Sequence, residues 1–188
     1  MPDWKQKVYP VLLAGGTGTR LWPVSRTRTP KQLVSFTGKD SLVQNTIERL
    51  IPLLDRENVR IVCGEAHVHE TARQLAEINV SPAGKILGEP CGRNTAPAIL
   101  LAVLRILRLE AEAVLCILPA DHVIRKLETF HNHIQRAVSL AEMGHIVTFG
   151  IRPLYPETGY GYIEGVAEIS DGARSIKRFV EKPDRATA

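Results

Sequence analysis

Short apolar runs dominate the first 150 residues, each closed by glycine or proline and each followed by a stretch of helical spacing. Val8–Ala14 runs into Gly15-Gly16, Asn58–Gly64 leads into Glu65–Ile78, Lys85–Gly88 ends at Glu89-Pro90, and Ala113–Leu118 ends at Pro119-Ala120-Asp121-His122. Short apolar runs bounded by such breakers read as strands buried on both faces. Helical spacing lies between them. Leu42, Val43, Ile47, Leu50, Ile51 and Leu54 recur on one side of a helix over Ser41–Leu54, with Ser41 as its N-cap. Glu65–Ile78 reads as a second helix, and Ala96–Leu109 as a third, capped by Asn94, with Pro97 in the first turn where a missing N–H does no harm. Phe130–Met143 reads as a fourth, before a further strand at His145–Gly150. Alternation of this kind requires right-handed βαβ units, hence an α/β fold with a mainly parallel sheet flanked by helices. After residue 150 the pattern changes. Tyr160–Gly165 and Ser175–Glu181 alternate like paired, half-exposed strands, with turns at Pro156–Gly159 and Asp171-Gly172, so a small antiparallel part follows. The length suits one domain over residues 1–188.

Composition narrows the function. Hydrophobic residues make up 44% of the chain, enough for a core, yet no apolar stretch is long enough to span a bilayer. Met1–Lys7 holds no apolar signal core. Cys63, Cys91 and Cys116 are widely spaced and form no metal motif, which suits a reducing cytoplasm. Residues 1–31 carry Lys5, Lys7, Arg20, Arg26, Arg28 and Lys31 against Asp3 alone, whereas the other 157 residues carry 18 basic and 19 acidic side chains. A nucleic-acid surface would spread its cations more widely. This local excess points to one small anionic ligand, with no nucleic-acid or membrane partner.

In an open parallel sheet, ligands bind beyond the carboxyl ends of the strands. Three segments fall there: Gly15–Arg20, Glu89–Thr95 and Pro119–His122. Glycines let backbone N–H groups approach phosphate oxygens, and Arg20 adds a charged fork. The turn is not a Walker A loop, since no Gly-Lys-Ser/Thr follows at the required spacing. Nor is it the dinucleotide fingerprint, because Gly16-x-Gly18 lacks the third glycine.

The longer run is more specific. Gly15-Gly16-x-Gly18-x-Arg20-Leu21-Trp22-Pro23-x-Ser25-Arg26-x-x-x-Pro30-Lys31-Gln32 resembles the sugar-nucleotide pyrophosphorylases, in the form of their mannose-1-phosphate guanylyltransferase branch. Gly88-Glu89-Pro90, Arg93-Asn94-Thr95-Ala96-Pro97-Ala98, Pro119-Ala120-Asp121-His122, Pro156-Glu157-Thr158-Gly159-Tyr160-Gly161-Tyr162-Ile163 and Phe179-Val180-Glu181-Lys182-Pro183 continue the resemblance in order. It implies a Rossmann-like nucleotide-diphospho-sugar transferase fold. The implied reaction moves GMP from GTP to mannose 1-phosphate, giving GDP-mannose and pyrophosphate for polysaccharide biosynthesis. A phosphate monoester has its second pKa near about 6, so the nucleophile is already ionised at neutral pH. The chemistry then needs cations and N–H groups rather than a base.

The resemblance also implies roles. Ala14, Gly15, Gly16, Thr17, Gly18, Thr19 and Arg20 would cradle the triphosphate, with Arg20 and Lys31 as catalytic cations on its β- and γ-phosphates. Glu89, Pro90, Arg93, Asn94 and Thr95 would form the base pocket. Asp121 would hold Mg2+ together with substrate phosphates. Tyr160 and Gly161 would lie along the sugar, Glu181 would accept its hydroxyls, and Lys182 would hold its phosphate. Trp22 is read as a packing residue. Arg26 and Arg28 either steer phosphate or face water.

Other features are discounted. His67 and His69, like His131 and His133, are two apart on expected helices and so point apart. Cys91 has no partner that would activate it, and Arg105–Arg108 reads as a solvated helix face. The resemblance stops at Lys182-Pro183-Asp184-Arg185-Ala186-Thr187-Ala188, whereas family members continue through a second metal aspartate and the closing elements of the domain. The fold is therefore expected to be incomplete at its C-terminus, with an apolar face left exposed and self-association open. Two alternatives stand beside the guanylyltransferase: a non-catalytic GTP-binding fragment, and a thymidylyl- or adenylyltransferase acting on another hexose 1-phosphate.

Overall fold

A computed structural model describes residues 4–16, 24, 26, 30–36, 38–170 and 172–188. The chain divides between His145 and Ile146 into two compact units.

The first unit is built on a four-stranded parallel sheet: β1 (Val8–Leu13), β2 (Arg60–Gly64), β3 (Ile86–Glu89) and β4 (Val114–Pro119), in the order β3-β2-β1-β4. Leu12 pairs with Ile61 on one side and with Leu118 on the other. The chain thus steps outward from β1 to β3 and returns across the sheet to β4. The strand order reverses between β1 and β4, the switch point where open α/β sheets hold ligands.

Side-chain alternation divides the core. Val8, Leu12 and Ala14, with Ile61, Cys63 and Leu118, pack beneath α1 (Leu42–Glu48), α2 (Val68–Glu77) and α4 (Leu127–Glu142), through Val43, Ile47, Leu75, Ile134 and Val138. Tyr9, Val11 and Val62 point to the opposite face, under Ala98, Ala102 and Ile106 of α3 (Thr95–Ile106). The reversed crossover requires this placement, because a right-handed connection running back across the sheet must pass over its other face.

Several features differ from the sequence reading, among them the end of α1, the cap of α3 and the strand expected at His145–Gly150. Ser41 does cap α1: its hydroxyl accepts from Gln44 N–H at 3.3 Å, and the Gln44 side chain accepts from Ser41 N–H at 2.8 Å. The helix nevertheless ends at Glu48 rather than Leu54. Pro52 has no N–H to give the Glu48 carbonyl, so the chain tightens into turns. Asn94 occupies the position before α3 but makes no side-chain cap bond and takes φ +68°. His145–Gly150 is not a strand: no ladder partner pairs with it among the described residues, and Ile146 is fully exposed. Apolar content alone does not make a strand where no neighbour completes its hydrogen bonds.

The second unit is a two-stranded antiparallel ribbon, β5 (Tyr162–Ser170) and β6 (Ala173–Val180). Ile163 faces Phe179, and Glu164 faces Arg178. Glu164 also receives Lys177 at 2.7 Å and Arg178 at 2.6 Å, and these cations hold its carboxyl below the usual range. Large apolar side chains stand exposed in both units, among them Leu100 and Leu104 of α3 and Ile151 and Leu154. No helix among the described residues is long and apolar enough to cross a membrane.

Candidate functional site

The turn after β1 is held by the fold rather than by its own residues. Ala14 N–H donates to the Val62 carbonyl at 2.8 Å, and Ala120 N–H donates to Leu13 at 3.2 Å, so the ends of β1, β2 and β4 are tied together. Gly16 has φ +96°, a conformation glycine adopts without a side-chain penalty. The Gln32 amide, almost wholly buried, donates to the Ala14 carbonyl and, at 3.0 Å, to the Gly15 carbonyl. Both carbonyls are thereby drawn to the protein side, which suits a turn meant to meet an anion with its N–H groups.

The segment carrying Gln32 is fastened in turn. Lys31–Leu33 forms one 3-10 turn after Pro30, and the Gln74 amide of α2 donates to the Leu33 carbonyl at 3.0 Å. Leu42 N–H donates to the Val34 carbonyl at 3.2 Å. Lys31 is therefore delivered from a rigid bed. Its ammonium pairs with the carboxylate of Asp121, which follows β4. Both side chains are about one-third exposed, so the pair is reachable from solvent. Glu89 closes the third side. It ends β3 opposite Gly64, and a Cβ on Gly15 would lie 3.3 Å from its Oε2, so its carboxylate lies close over the turn.

Gly15, Gly16, Lys31, Glu89 and Asp121 thus come together at the carboxyl edge of β1, β3 and β4. Pro90, Arg93, Asn94 and Thr95 follow along the same edge as the exposed loop into α3. Thr17, Gly18, Thr19 and Arg20 lie outside the described residues, as do Trp22 and Arg28; Arg26 is described and exposed.

Tyr160, Gly161, Glu181 and Lys182 belong to the second unit. A Cβ on Gly161 would run into the Phe179 ring and lie 3.0 Å from Glu181 Oε2, so any side chain just before β5 obliges the exposed Phe179 ring to move aside. The structure thereby brings Gly161 and Glu181 together. Glu181 pairs with Lys182 at 3.1 Å in an exposed contact that contributes little to stability. Tyr160 is exposed. The preceding turn is fixed where Glu157 N–H donates to the Tyr162 hydroxyl at 2.9 Å and its carboxylate accepts from Gly159 N–H at 3.0 Å.

Among the described residues, no group of three or more His, Cys, Asp or Glu side chains could enclose a metal. The cysteines are free thiols, and burial pushes Cys116 up to about 11 and raises Cys63. Sequence reasoning gave no role to Gln32, although the Pro30-Lys31-Gln32 run contained the signal, and none to Gln74, whose function depends on a contact between α2 and a distant loop.

The nucleotidyl transferase family matches residues 9–188. Xanthan biosynthesis protein XanB of Xanthomonas campestris pv. campestris is 47% identical over 181 residues, which is 96% of this chain and 38% of that protein. A mannose-1-phosphate guanylyltransferase of Escherichia coli is 47% identical over 182 residues, 95% of this chain and 38% of the relative. The chain therefore spans less than two fifths of the length of these curated relatives. Among solved structures, one described as mannose-1-phosphate geranyltransferase from Thermus thermophilus superposes with a TM-score of 0.81 at 37% identity, covering 96% of this chain and 52% of that one. With a match that begins inside β1 and runs through the last residue, on the sheet order just described, the chain belongs to the nucleotidyl transferase family.

Proposed function

We propose that this chain is the nucleotide-binding portion of a guanylyltransferase that moves GMP from GTP to mannose 1-phosphate, releasing pyrophosphate and forming GDP-mannose for polysaccharide synthesis. The names of the two curated relatives support the substrates and the pathway class. The observation that carries the reading is the meeting of the Gly15-Gly16 turn, Lys31, Glu89 and Asp121 at the switch point of the sheet. Triphosphate oxygens meet the turn's N–H groups and Arg20, while Lys31 neutralises charge on the departing pyrophosphate. The sugar phosphate arrives already ionised, so no side chain need take its proton. Glu89, Pro90, Arg93, Asn94 and Thr95 line the base side. Tyr160, Gly161, Glu181 and Lys182 take the sugar phosphate.

Asp121 fits a magnesium ion of the kind held by one carboxylate plus substrate phosphates and water. It is partly exposed at a strand end, and the described residues offer no closed cage that would compete. When bound, Mg2+ supplies neutralisation of phosphate charge. Lys31 then exchanges its Asp121 partner for phosphate oxygen. The free thiols accord with a cytoplasmic setting.

The test is direct. Incubating the chain with GTP, mannose 1-phosphate and Mg2+ should release pyrophosphate, and GTP should outcompete ATP, UTP and dTTP. GTP binding without pyrophosphate release would favour a non-catalytic binding fragment, and preference for another nucleotide would shift the base assignment. No binding of any nucleotide would refute the reading.

A further inference from the structure

Arg49, the residue after α1, has no part in the roles assigned above. Its backbone continues the helix, with N–H bonded to the Asn45 carbonyl. Nη1 of its guanidinium donates to the His122 carbonyl at 2.6 Å, and Nη2 donates to Thr46 Oγ1. Thr46 is itself locked, its hydroxyl donating to the Leu42 carbonyl at 2.7 Å. The Arg49 carbonyl meets His131 Nε2 of α4 at 2.6 Å, with the ring nitrogen as donor. One residue thus joins the end of α1, the loop after β4 and α4, all within the first unit.

The loop needs this anchor. Beyond Ala120 the chain runs out exposed, with Val123 72% accessible. The main chain of Asp121 is bracketed by two bonds: Ala120 N–H to Leu13 on the sheet side and His122 carbonyl to Arg49 on the helix side. The second is charge-assisted and therefore stronger than a neutral bond. Burial lowers the Arg49 pKa, and among the described residues its guanidinium bonds a carbonyl and a hydroxyl rather than a carboxylate. The helix it springs from is fixed by the Ser41 capping box and by Val43 and Ile47 in the core.

We propose that Arg49 is a positioning residue for Asp121: by clamping the adjacent carbonyl to α1, it aims the carboxylate at the site and so sets the affinity for the divalent cation that accompanies the nucleotide. This rests on the proposed role of Asp121. Removing a group that orients a metal ligand typically weakens the metal by about 10–100-fold.

Two readouts test it on the whole chain. The first is Mn2+ affinity at saturating GTP, from the electron paramagnetic resonance signal of free Mn2+. The second is amide exchange of the 120–126 segment without ligand, which does not depend on the metal. Arg49→Met should weaken Mn2+ by about tenfold and speed exchange at residues 121–123. Arg49→Lys, which keeps one charged donor for His122, should regain at least half of the loss on a logarithmic scale. Should Arg49→Met not fold, Arg49→Gln replaces it, with Arg49→Lys expected to bind Mn2+ more tightly. Asp121→Asn separates the two ideas. If it weakens Mn2+ while Arg49→Met stays within twofold of the parent, or if Arg49→Lys is no better than its comparison variant, the clamp is refuted. If Asp121→Asn leaves Mn2+ unchanged, the cation role of Asp121 fails and exchange alone decides: faster exchange in Arg49→Met upholds the clamp, and unchanged exchange overturns it.

Discussion

Replacing Gln32 by methionine is the sharpest test of how the glycine turn is held. The substitution keeps side-chain length and apolar volume but removes the amide that serves the Ala14 and Gly15 carbonyls. Each bond contributes about 0.5–1.5 kcal/mol net, and a buried acceptor left without a donor costs roughly 1–3 kcal/mol. The two sites differ: the Ala14 bond is buried, whereas the Gly15 bond is part-buried and water can replace its donor. One term opposes the loss, because Gln32 Oε1 is buried with no partner among the described residues and methionine relieves it. The balance is a destabilisation of about 1–3 kcal/mol, or roughly 2–12 °C in Tm for a chain of this size. Thermal unfolding followed by circular dichroism measures it, and calorimetric titration with GTP reports the turn. Affinity should fall at least several-fold (roughly 1 kcal/mol) as the carbonyls regain freedom to face the phosphates. Gln32→Glu should be worse at neutral pH, since a carboxylate offers the carbonyls no donor and is costly to bury. The introduced carboxyl would have its folded pKa raised above about 4.3, so part of the stability returns as pH falls through that raised value. A Gln32→Met chain with unchanged Tm and unchanged GTP affinity would refute the argument.

Other substitutions probe separate links. Ser41→Ala removes the reciprocal cap of α1 and should cost about 1 kcal/mol by urea denaturation, with Ser41→Asp close to wild type. Gly161→Ala forces a methyl into the Phe179 ring and should disturb the β5–β6 ribbon, seen as shifted Phe179 ring resonances; Phe179→Ala in the same chain should restore the strand. Iodoacetamide at pH 8 should label exposed Cys91 first, half-buried Cys116, pushed up to about 11, more slowly, and buried Cys63 only on unfolding; mass spectrometry of timed digests that found Cys116 ahead of Cys91 would contradict its raised pKa.

The parallel sheet is legible in the sequence because its signals are local. Val8–Ala14, Asn58–Gly64 and Ala113–Leu118 are short apolar runs with turn residues behind them, and each forms a strand within two residues of its expected ends. Lys31, Glu89 and Asp121 are legible as strand-end or loop residues in a recognisable motif, but their meeting depends on strand order, which no local pattern encodes. The segment at His145–Gly150 misleads because apolar content does not reveal whether a pairing partner exists. Asn94 misleads because a capping residue type is not yet a capping bond. Gln32, Gln74 and Arg49 escape notice for a shared reason: each acts on main-chain carbonyls far away in sequence, and a carbonyl carries no residue-type signal.

Lys31 and Asp121 are ninety positions apart in the chain, joined only because β4 returns to lie beside β1. Such a non-local closure is entropically late, since several short crossovers must form before it is rewarded. A nascent or nicked chain that had docked β1, β2 and β3 alone would hold Glu89 over the glycine turn, but would lack both the Ala120 N–H bond to Leu13 and the carboxylate that pairs with Lys31. Competence at this edge therefore reports completion of folding, and a probe of the Lys31–Asp121 pair would double as a clock for the last strand to arrive.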